Sequence, residues 1–346
     1  MRAITVTNPG ATPTLTWAEA PDPVAGPDEV LIRVAATAVN RADLLQASGN
    51  YPPPPGASEI LGLECSGVVA AVGDGVTDWT VGDECCALLS GGGYAELVAV
   101  PASQVLPVPQ GVSLVDAAAL PEVACTVWSN LVLTAHLHAG QSVLFHGGGS
   151  GIGTMGIQVA KALGATVVVT ASHDDTLVVC AELGADLTIN YTADDFVQVV
   201  QAALGGVDVI LDVVGAKYLQ RNISALADGG RVIIIGMQGG TTAELNIADL
   251  LAHRRGVIGT ALRSRPPTGP GSKAEVVQAV REHLWPMIAD GKVRPVIDAV
   301  LELPDAGDGH RRMNQRHAGK IVLTVNPEGH NRGNQAIRGN QQGASR

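Results

Sequence analysis

Three glycines after a short apolar segment have the spacing of a phosphate-binding loop. In SVLFHGGGSGIGTMGIQVAKALGATVVVTA, Gly151, Gly153 and Gly156 form G-x-G-x-x-G between the apolar runs Ser142 to Phe145 and Thr166 to Thr170. The first glycine of such a motif permits a tight turn, the second lets backbone N–H groups approach a pyrophosphate, and the third lets helix pack on strand. The apolar residues after the loop have helical spacing. The pattern therefore predicts a strand–loop–helix unit that binds a dinucleotide at its helix N-terminus.

The residues after the second apolar run bear on the kind of dinucleotide. An NAD site places Asp or Glu about twenty residues past the first glycine, where it binds the ribose 2′-hydroxyl. This chain has Ala171, Ser172 and His173 there, so no carboxylate repels a 2′-phosphate. Asp174 and Asp175 follow, and they oppose a phosphate if they point inward; otherwise they form the N-cap and first turn of the next helix. We expect NADP(H) rather than NAD(H).

Composition and charge limit the classes of protein that fit. The length of 346 residues is too great for one ordinary core and predicts two lobes. A net charge of −11 and an aromatic content of 3% oppose binding to nucleic acid or anionic membranes. No apolar run reaches spanning length, and the first residues lack the pattern of a signal peptide. Five cysteines without C-x-x-C spacing indicate reduced thiols, so we expect a cytoplasmic protein.

Two rhythms divide the chain. Residues 1–120 hold short strands between Gly and Pro turns, among them Glu29–Val39, Gly67–Val72 and Ala95–Val100, which predicts a mostly antiparallel β lobe. Beyond residue 120, strands alternate with helices, which predicts an α/β fold with a doubly wound, six-stranded parallel sheet. The predicted strands are 142–146, 166–171, 186–190, 207–213, 230–236 and 257–263, and the predicted helices are 151–163, 174–183, 193–203, 217–226 and 246–253.

A Pro/Gly-rich segment, RSRPPTGPGS, marks a boundary after the sixth predicted strand. We expect a helix at 273–289, a strand at 296–302, a short helix at 304–316 and a strand at Lys320–Val325, which return to the β lobe. The domains predicted from this pattern are 1–120 with 267–326 for the catalytic β lobe and 121–266 for the dinucleotide-binding domain. Residues 327–346 lack apolar periodicity, so we expect a disordered tail.

A catalytic zinc ion would need Cys, His or carboxylate ligands with one open position. The segment AVNRADLL offers Asn40 and Asp43 but no cysteine. The later segment GLECSG places Leu63 before Glu64, where a zinc enzyme would have histidine. No four closely spaced cysteines form a structural zinc loop. These observations predict a protein without a metal.

A tyrosine in a stiff loop is a further candidate for the site. Tyr51 precedes four prolines, Pro52 to Pro55, whose fixed φ angles give a polyproline-like connection. Such a loop can hold the tyrosine ring at the edge of a cleft without an ordering cost on each turnover. The alternative interpretation is a turn tyrosine beside a surface polyproline step, or a ligand for an SH3-type domain.

Several segments together resemble one family. VNRADLLQASGNYPPPPGASEILGLECSG, GGGSGIGTMGIQVAK, ELGAD with INY, GRVIIIG and ALRSR are similar to the zinc-free NADPH:quinone oxidoreductases, the zeta-crystallin branch of the medium-chain dehydrogenase/reductases. The resemblance covers about residues 1–325. It implies a GroES-like catalytic lobe beside a Rossmann domain, with the active site between them. It also implies a homodimer joined through the edge strands of the Rossmann sheets, here at Gly256–Ala261.

The resemblance implies roles for individual residues. Asn40 and Asp43 occupy the place that zinc and its ligands hold in alcohol dehydrogenases, and Tyr51 lies beside the nicotinamide and the quinone. The implied cofactor-binding residues are Ser150, Gly151, Ile152, Gly153 and Thr154 at the pyrophosphate; Ser172, His173 and Tyr191 at the adenosine phosphate; and Thr126, Gly236, Met237, Leu262 and Ser264 elsewhere along the cofactor, the last four at its nicotinamide end. Family members often have lysine where Thr176 stands, so we expect weaker NADPH binding than in a relative with that lysine.

The chemistry that the resemblance implies is reduction of a quinone by hydride or electron transfer from the nicotinamide of NADPH, without a metal. A conjugated quinone absorbs the developing negative charge without a Lewis acid. We expect Tyr51 to donate a hydrogen bond to the oxyanion while neutral, Asn40 to donate a second, and Asp43 to orient its neighbours. Two other functions remain open: an NADPH-dependent reductase of enoyl thioesters or activated alkenes, and a non-catalytic NADPH-binding regulatory or structural protein.

Overall fold

The computed structural model describes residues 1–10 and 12–325. The predicted tail, 327–346, lies outside these residues. The strands are β1 (Arg2–Thr7), β2 (Thr14–Glu19), β3 (Glu29–Ala38), β4 (Glu64–Val72), β5 (Glu84–Leu88), β6 (Leu97–Pro101), β7 (Val105–Pro107), β8 (Ser142–His146), β9 (Thr166–Ala171), β10 (Leu187–Asn190), β11 (Val207–Asp212), β12 (Leu226–Ile234), β13 (Gly256–Gly259), β14 (Ile297–Glu302) and β15 (Lys320–Thr324). The helices are α1 (Arg41–Ala47), α2 (Leu114–Ala117), α3 (Pro121–Trp128), α4 (Gly151–Ala162), α5 (Asp174–Glu182), α6 (Phe196–Leu204), α7 (Leu219–Ala225), α8 (Ile247–His253), α9 (Lys273–Ala279), α10 (Trp285–Ala289) and α11 (Ala306–Met313).

The alternating half of the chain forms the predicted parallel sheet. Its strand order is β10-β9-β8-β11-β12-β13, and every neighbouring pair is parallel. From β8 the chain adds β9 and β10 on one side of the sheet, and then β11, β12 and β13 on the other side. The switch point where doubly wound folds bind their ligands therefore lies between β8 and β11. The central strands are apolar and buried because helices cover both faces. The prediction of a six-stranded Rossmann sheet is confirmed.

The other half forms a mostly antiparallel sheet of seven strands. Its order is β14-β15-β3-β4-β5-β7, and β6 pairs with β3. The last two strands run parallel to each other, and β15 pairs with β3 in antiparallel register. The end of the chain therefore returns to the first lobe, as the sequence predicted, although the exact domain boundaries stay predictions. A separate hairpin, β1 with β2, completes this lobe.

Some element ends differ from the sequence prediction. The last strand of the parallel sheet ends at Gly259 rather than 263, so Leu262 and Ser264 lie in the turns that follow it. Helix α6 begins at Phe196 rather than 193, because the Asp195 side chain accepts a hydrogen bond from Val197 N and caps the helix there. The predicted helix at 273–289 consists of α9 and α10 joined by a π-helical segment, Val280–Leu284.

The two lobes meet beside the glycine-rich loop. Gly319, just before β15, donates its N–H to the carbonyl of Gly149 at 2.8 Å. Ser150 and Gly319 also form an isolated parallel bridge. The start of the last strand therefore lies against the loop that precedes α4. No helix in the described part of the chain is long and apolar enough to cross a membrane.

Candidate active site

The glycine-rich loop turns sharply from β8 into α4. Gly147 has φ of 76°, a left-handed conformation that favours glycine, and its N–H and that of Gly148 both donate to the carbonyl of Thr170 at 3.0 Å. From the sequence, Gly151 was expected to permit the tight turn. The positive φ falls on Gly147 instead, because the chain reverses as it leaves β8, four residues before the helix begins.

Each glycine of the motif has a steric reason to lack a side chain. A Cβ on Gly153 would lie 2.4 Å from the carbonyl oxygen of Gly148, and one on Gly156 would lie 2.4 Å from the Phe145 ring. The second contact is the close packing of helix on strand that the sequence predicted. A Cβ on Gly151 would lie 2.5 Å from Cδ of Lys320, so this glycine makes room for a side chain of the other lobe.

The first turn of α4 leaves backbone donors for a ligand. Ser150 is the N-cap: its Oγ accepts from Gly153 N at 3.0 Å and donates to the Gly147 carbonyl at 2.8 Å. The N–H groups of Gly151 and Ile152 belong to the first turn, where no helical carbonyl precedes them. Thr154 is buried and donates its hydroxyl to the Gly151 carbonyl. Two backbone donors at a positive helix end therefore suit an anion.

A pocket beside this turn brings together the residues expected at the adenosine phosphate. Its lining includes Ser150, Ser172, His173, Thr176 and Tyr191. Its lining also includes residues of the segment before β15, which no sequence pattern had assigned to the site: Asn314, Gln315, Arg316 and His317. Residues from both lobes therefore line the pocket, and Arg316 contributes a guanidinium group to it.

The two aspartates after Ser172 do not act as ribose acids in this arrangement. They lie in the first turn of α5, where a carboxylate is favourable, as one of the two interpretations of the sequence predicted. Asp174 accepts from Asn190 Nδ2 at 2.7 Å, and Asp175 forms an ion pair with Arg316. Asp175 therefore partly neutralises the cation of the pocket, and His173 rather than an aspartate is the N-cap residue.

Asn40 lies in a buried polar cluster at the junction of the lobes. Its Nδ2 donates to the Ala38 carbonyl at 3.2 Å and to Glu64 Oε1 at 2.9 Å, while its Oδ1 accepts from Lys320 Nζ at 2.6 Å. Lys320 Nζ also pairs with Glu64 Oε1 at 2.7 Å, and both side chains are buried. Both amide hydrogens of Asn40 are therefore used inside the protein, which differs from the expectation that Asn40 donates to the substrate.

Asp43 is enclosed by backbone donors. Its Oδ2 accepts from Asn40 N at 2.7 Å and its Oδ1 from Gly62 N at 3.0 Å, and the side chain is fully buried. Tyr94 donates its hydroxyl to Oδ2 at 3.4 Å. Burial raises the pKa of Asp43 to about 6, against the opposing effect of these N–H donors. Asp43 holds the start of α1 and the loop at Gly62, which agrees with an orienting role.

Tyr51 lies half-buried beneath a guanidinium group. Cζ of Arg263 is 5.2 Å from the centroid of the Tyr51 ring, and Arg263 donates to the Tyr51 carbonyl at 3.4 Å. Burial raises the pKa of Tyr51, the cation of Arg263 lowers it, and Glu122 raises it. The net shift is upward, so the phenol stays neutral and can donate a hydrogen bond.

Glu122 is the second residue of α3 and lies next to this cluster. Its backbone N–H donates to Glu64 Oε2 at 2.9 Å. Removal from water, and then the charge of Glu64, raise the pKa of Glu122 to about 8. This carboxyl group is therefore protonated at neutral pH.

The residues expected at the nicotinamide end lie in loops after β12 and β13. Gly236 packs against the backbone of Val213, where a Cβ would be 2.7 Å from a carbonyl oxygen, and Met237 is exposed. Leu262 is buried and Ser264 is exposed. Carboxyl ends of parallel strands share one edge of the sheet, so these loops lie on the same edge as the glycine-rich loop. Thr126 is buried within α3.

The side chains at the site that sequence reasoning missed include Glu64, Arg263, Arg316 and Lys320. Two had a usable signal, because Glu64 and Lys320 are charged residues within otherwise apolar strand segments, LGLECSG and KIVLTV. Arg263 and Arg316 lie in loops, and nothing in their local pattern distinguishes them from exposed basic residues.

Comparison with known proteins shows the family. Residues 26–110 match the alcohol dehydrogenase GroES-like domain, and residues 151–281 match the zinc-binding dehydrogenase family. The chain is 30% identical over 302 residues to a quinone oxidoreductase of Rattus norvegicus. The aligned region covers 86% of this chain and 89% of that protein. The chain therefore belongs to the medium-chain dehydrogenase/reductases, a superfamily of oxidoreductases.

Other relatives are longer proteins. The chain is 31% identical over 317 residues to a synaptic vesicle membrane protein VAT-1 homolog of Danio rerio, covering 86% of this chain but 64% of that protein. It is 31% identical over 306 residues to a phenolphthiocerol/phthiocerol polyketide synthase of Mycobacterium tuberculosis, covering 87% of this chain and 14% of that protein. The chain thus spans only part of the length of these two relatives.

Solved structures share the whole fold. An NAD-dependent alcohol dehydrogenase matches with a TM-score of 0.82 and 32% identity over 94% of this chain and 100% of that one. An Escherichia coli quinone oxidoreductase complexed with NADPH matches with a TM-score of 0.82 and 25% identity over 93% and 99%. A 2-haloacrylate reductase matches with a TM-score of 0.78 and 28% identity over 94% and 99%.

Proposed function

We propose that this protein reduces quinones with NADPH. The observation that carries the proposal is that a phosphate-binding region and a substrate-binding region lie at the same edge of the parallel sheet. The phosphate-binding region is the first turn of α4 with its adjoining pocket, and the substrate-binding region is Tyr51 of the opposite lobe, joined to that edge through Arg263. The quinone oxidoreductases among the relatives, and the NADPH complex of the Escherichia coli protein, support this function.

The phosphate-binding region fits the pyrophosphate of a dinucleotide. Because Gly153 has no side chain, the loop at Gly148 lies close to α4, and because Gly151 has none, there is room for Lys320; a Cβ on either glycine would collide with that neighbour. Ser150 fixes the first turn by its two hydrogen bonds, so the N–H groups of Gly151 and Ile152 are held in place before the ligand arrives.

The adjoining pocket favours NADPH over NADH. Arg316 supplies a guanidinium group, whose geometry suits a phosphate, and Ser172, His173 and Tyr191 supply further polar groups. Asp175 pairs with that guanidinium and competes with a phosphate for it. Together with Thr176 in the usual place of a lysine, this competition predicts a moderate preference.

At the substrate-binding region, the residues of the chain must position and polarise the substrate. Bound NADPH supplies a hydride from its nicotinamide ring. The neutral phenol of Tyr51 donates a hydrogen bond to the substrate oxygen on which negative charge develops. Asn40 and Asp43 have a supporting part in this proposal, because their hydrogen bonds hold α1 and the loop at Gly62 in place.

The donor set at the lobe junction does not fit a catalytic zinc ion. Asn40 Oδ1 and the Glu64 carboxylate already bind the ammonium group of Lys320, a cation that the chain itself supplies. No cluster of three or more His, Cys, Asp or Glu within residues 1–10 and 12–325 could hold a metal ion. A zinc ion would have to displace Lys320 and would find one carboxylate and one amide oxygen, a weaker set than zinc prefers.

Reduction of an activated alkene or enoyl thioester is the second candidate. It is favoured by the likeness to a 2-haloacrylate reductase and to part of a polyketide synthase over most of this chain. The same tyrosine hydroxyl would stabilise an enolate oxygen as it would a quinone oxygen. The two candidates differ in the substrate and share the cofactor site.

Steady-state kinetics with two acceptors separates these functions. The purified protein is assayed for NADPH and NADH oxidation with 1,2-naphthoquinone and with crotonyl-CoA. The proposal predicts higher kcat/KM with the quinone and with NADPH. Higher kcat/KM with crotonyl-CoA would assign the second candidate, and NADPH binding without turnover of either acceptor would assign a regulatory or structural role.

The proposal also includes a homodimeric assembly and a cytoplasmic location. The edge strand β13 is unpaired on its outer side within the described chain, and exposed apolar side chains lie on it and on α8: Ile247, Leu251 and Ile258. This surface supports a homodimer through the sheet edge. All five cysteines are unpaired and buried, which supports a cytoplasmic location.

A further inference from the structure

Arg263 crosses from one lobe to the other. It lies in the turn after β13, yet its side chain is only 4% exposed and its hydrogen bonds run to acceptors in the catalytic lobe. Nε donates to the Ser90 carbonyl at 2.9 Å, and one terminal nitrogen donates to Gln46 Oε1 at 2.6 Å. The other terminal nitrogen donates to the Tyr51 carbonyl at 3.4 Å.

The same guanidinium contacts Tyr51 in a second way. Its Cζ lies 5.2 Å from the ring centroid, within the range of a cation–π interaction. Arg263 therefore holds both the backbone and the ring of one residue. The bond to Gln46, at the end of α1, fixes the other side of the loop that carries Tyr51.

Only an arginine can make this set of contacts. The planar fork presents donors in three directions, and the three acceptors lie on separate segments at residues 46, 51 and 90. A lysine ammonium could keep the charge beside the tyrosine ring but could not reach all three oxygens. The burial of the guanidinium, which lowers the pKa of Arg263, is compensated by these bonds.

The position of Arg263 in the chain relates these contacts to the cofactor site. Arg263 lies in the turn after β13, at the same edge of the parallel sheet as the glycine-rich loop. We propose that Arg263 is a positioning residue that fixes the hydroxyl of Tyr51 relative to the nicotinamide end of the cofactor site. This inference rests on the proposed function, in which Tyr51 binds the substrate oxygen. A hydrogen-bond donor stabilises developing charge only when it is held in place before the reaction.

A double-mutant cycle distinguishes positioning from a merely structural bond between lobes. The variants are Arg263→Ala, Arg263→Lys, Tyr51→Phe and Arg263→Ala with Tyr51→Phe, with Arg265→Met as the control because Arg265 bonds outside the cleft, to the Gly271 carbonyl. The readouts are kcat and KM for 1,2-naphthoquinone and KM for NADPH. Guanidinium chloride at low concentration is added to Arg263→Ala to test rescue.

The inference predicts a specific pattern. Arg263→Ala lowers kcat about fivefold, as removal of the Tyr51 hydroxyl itself does, and changes KM for NADPH less than about twofold, and Arg265→Met matches wild type. In the Tyr51→Phe background, the Arg263 substitution lowers kcat less than about twofold, because no hydroxyl remains to be positioned. Guanidinium restores part of the rate of Arg263→Ala, and Arg263→Lys lies between wild type and Arg263→Ala.

Additive effects of the two substitutions on kcat would overturn the inference while leaving quinone reduction standing. An unchanged kcat in Arg263→Ala would do the same. Hydrogen exchange gives a readout that needs no turnover. The amides of residues 48–51, 56 and 57 should exchange faster in Arg263→Ala, since residues 52–55 are prolines without an amide hydrogen. Amides of β8 should not change, and equal exchange in the loop also overturns the inference. If wild type reduces no acceptor, the proposed function fails and exchange alone decides this inference.

Discussion

Tyr51 combines a rigid backbone with a neutral hydroxyl group. Four prolines restrict the chain after it, and Arg263 binds its carbonyl and its ring face. Burial raises its pKa, so the hydroxyl keeps its proton at neutral pH. A donor in this state can stabilise charge on a substrate oxygen without itself becoming an anion.

Replacement of Tyr51 by phenylalanine removes that hydroxyl and little else. We expect Tyr51→Phe to lower kcat for 1,2-naphthoquinone by roughly fivefold, because one neutral hydrogen bond contributes about 1 kcal/mol. KM for NADPH should not change. Steady-state kinetics with saturating NADPH measures the effect. An unchanged kcat would show that Tyr51 makes no hydrogen bond in the rate-limiting step.

The pocket near Arg316 should distinguish the two nicotinamide cofactors. Arg316→Gln should raise KM for NADPH about tenfold and leave KM for NADH unchanged, since only NADPH carries a 2′-phosphate. Thr176→Lys should lower KM for NADPH by adding a second cation. Arg311→Gln, on α11 outside the pocket, is the control. Equal changes with both cofactors, or no change with Thr176→Lys, would place the phosphate elsewhere.

At the scale of elements, the start of α3 meets β4 and β15 in a buried charged cluster. Glu64 on β4 accepts from Lys320 of β15 and from the first turn of α3. Three elements from different parts of the chain therefore share one carboxylate. Removing one partner of such a buried pair leaves an unpaired charge, which is more costly than the pair itself is stabilising.

Glu122, in that first turn, should make stability depend on pH. Its pKa in the folded protein, about 8, is above the ordinary value of 4.5. Between these values the folded state holds a proton that the unfolded state has lost, so wild-type stability falls as pH rises. Glu122→Gln removes this titratable group. Between the two pKa values, the free energy of unfolding of Glu122→Gln minus that of wild type should therefore increase with pH, by up to about 1.4 kcal/mol per pH unit. Urea unfolding at several pH values measures it; a constant difference would contradict the assigned shift.

The sequence predicted elements better than it predicted contacts between them. Periodicity located all six strands of the parallel sheet, since buried strands are apolar and the glycine motif fixes β8 and α4. It could not show that Lys320 binds Asn40, because these residues lie 280 positions apart in the chain and meet only through the pairing of β15 with β3. The turn at Gly147 was missed for a local reason: any of the clustered glycines could have taken the positive φ.

At the scale of the whole molecule, the β13 edge of the parallel sheet exposes a group of apolar side chains. The outer side of β13 carries Ile258, and the neighbouring α8 exposes Leu251 and Ile247. We expect wild type to be a dimer in solution and Ile258→Asp to be a monomer, because a buried carboxylate at a strand edge opposes pairing. Light scattering after gel filtration measures the mass. A monomeric wild type, or a dimeric variant, would contradict the assignment.

The central claim is that the loop from Gly147 to Gly153 and the first turn of α4 bind the phosphates of NADPH. Fluorescence titration of NADPH with the purified protein tests it most directly, with Gly153→Val as the comparison because its Cβ would collide with the Gly148 carbonyl. We predict saturable binding to wild type, with one NADPH per chain, and none to folded Gly153→Val. The absence of any complex with wild type, or equal binding by both proteins, would contradict the account.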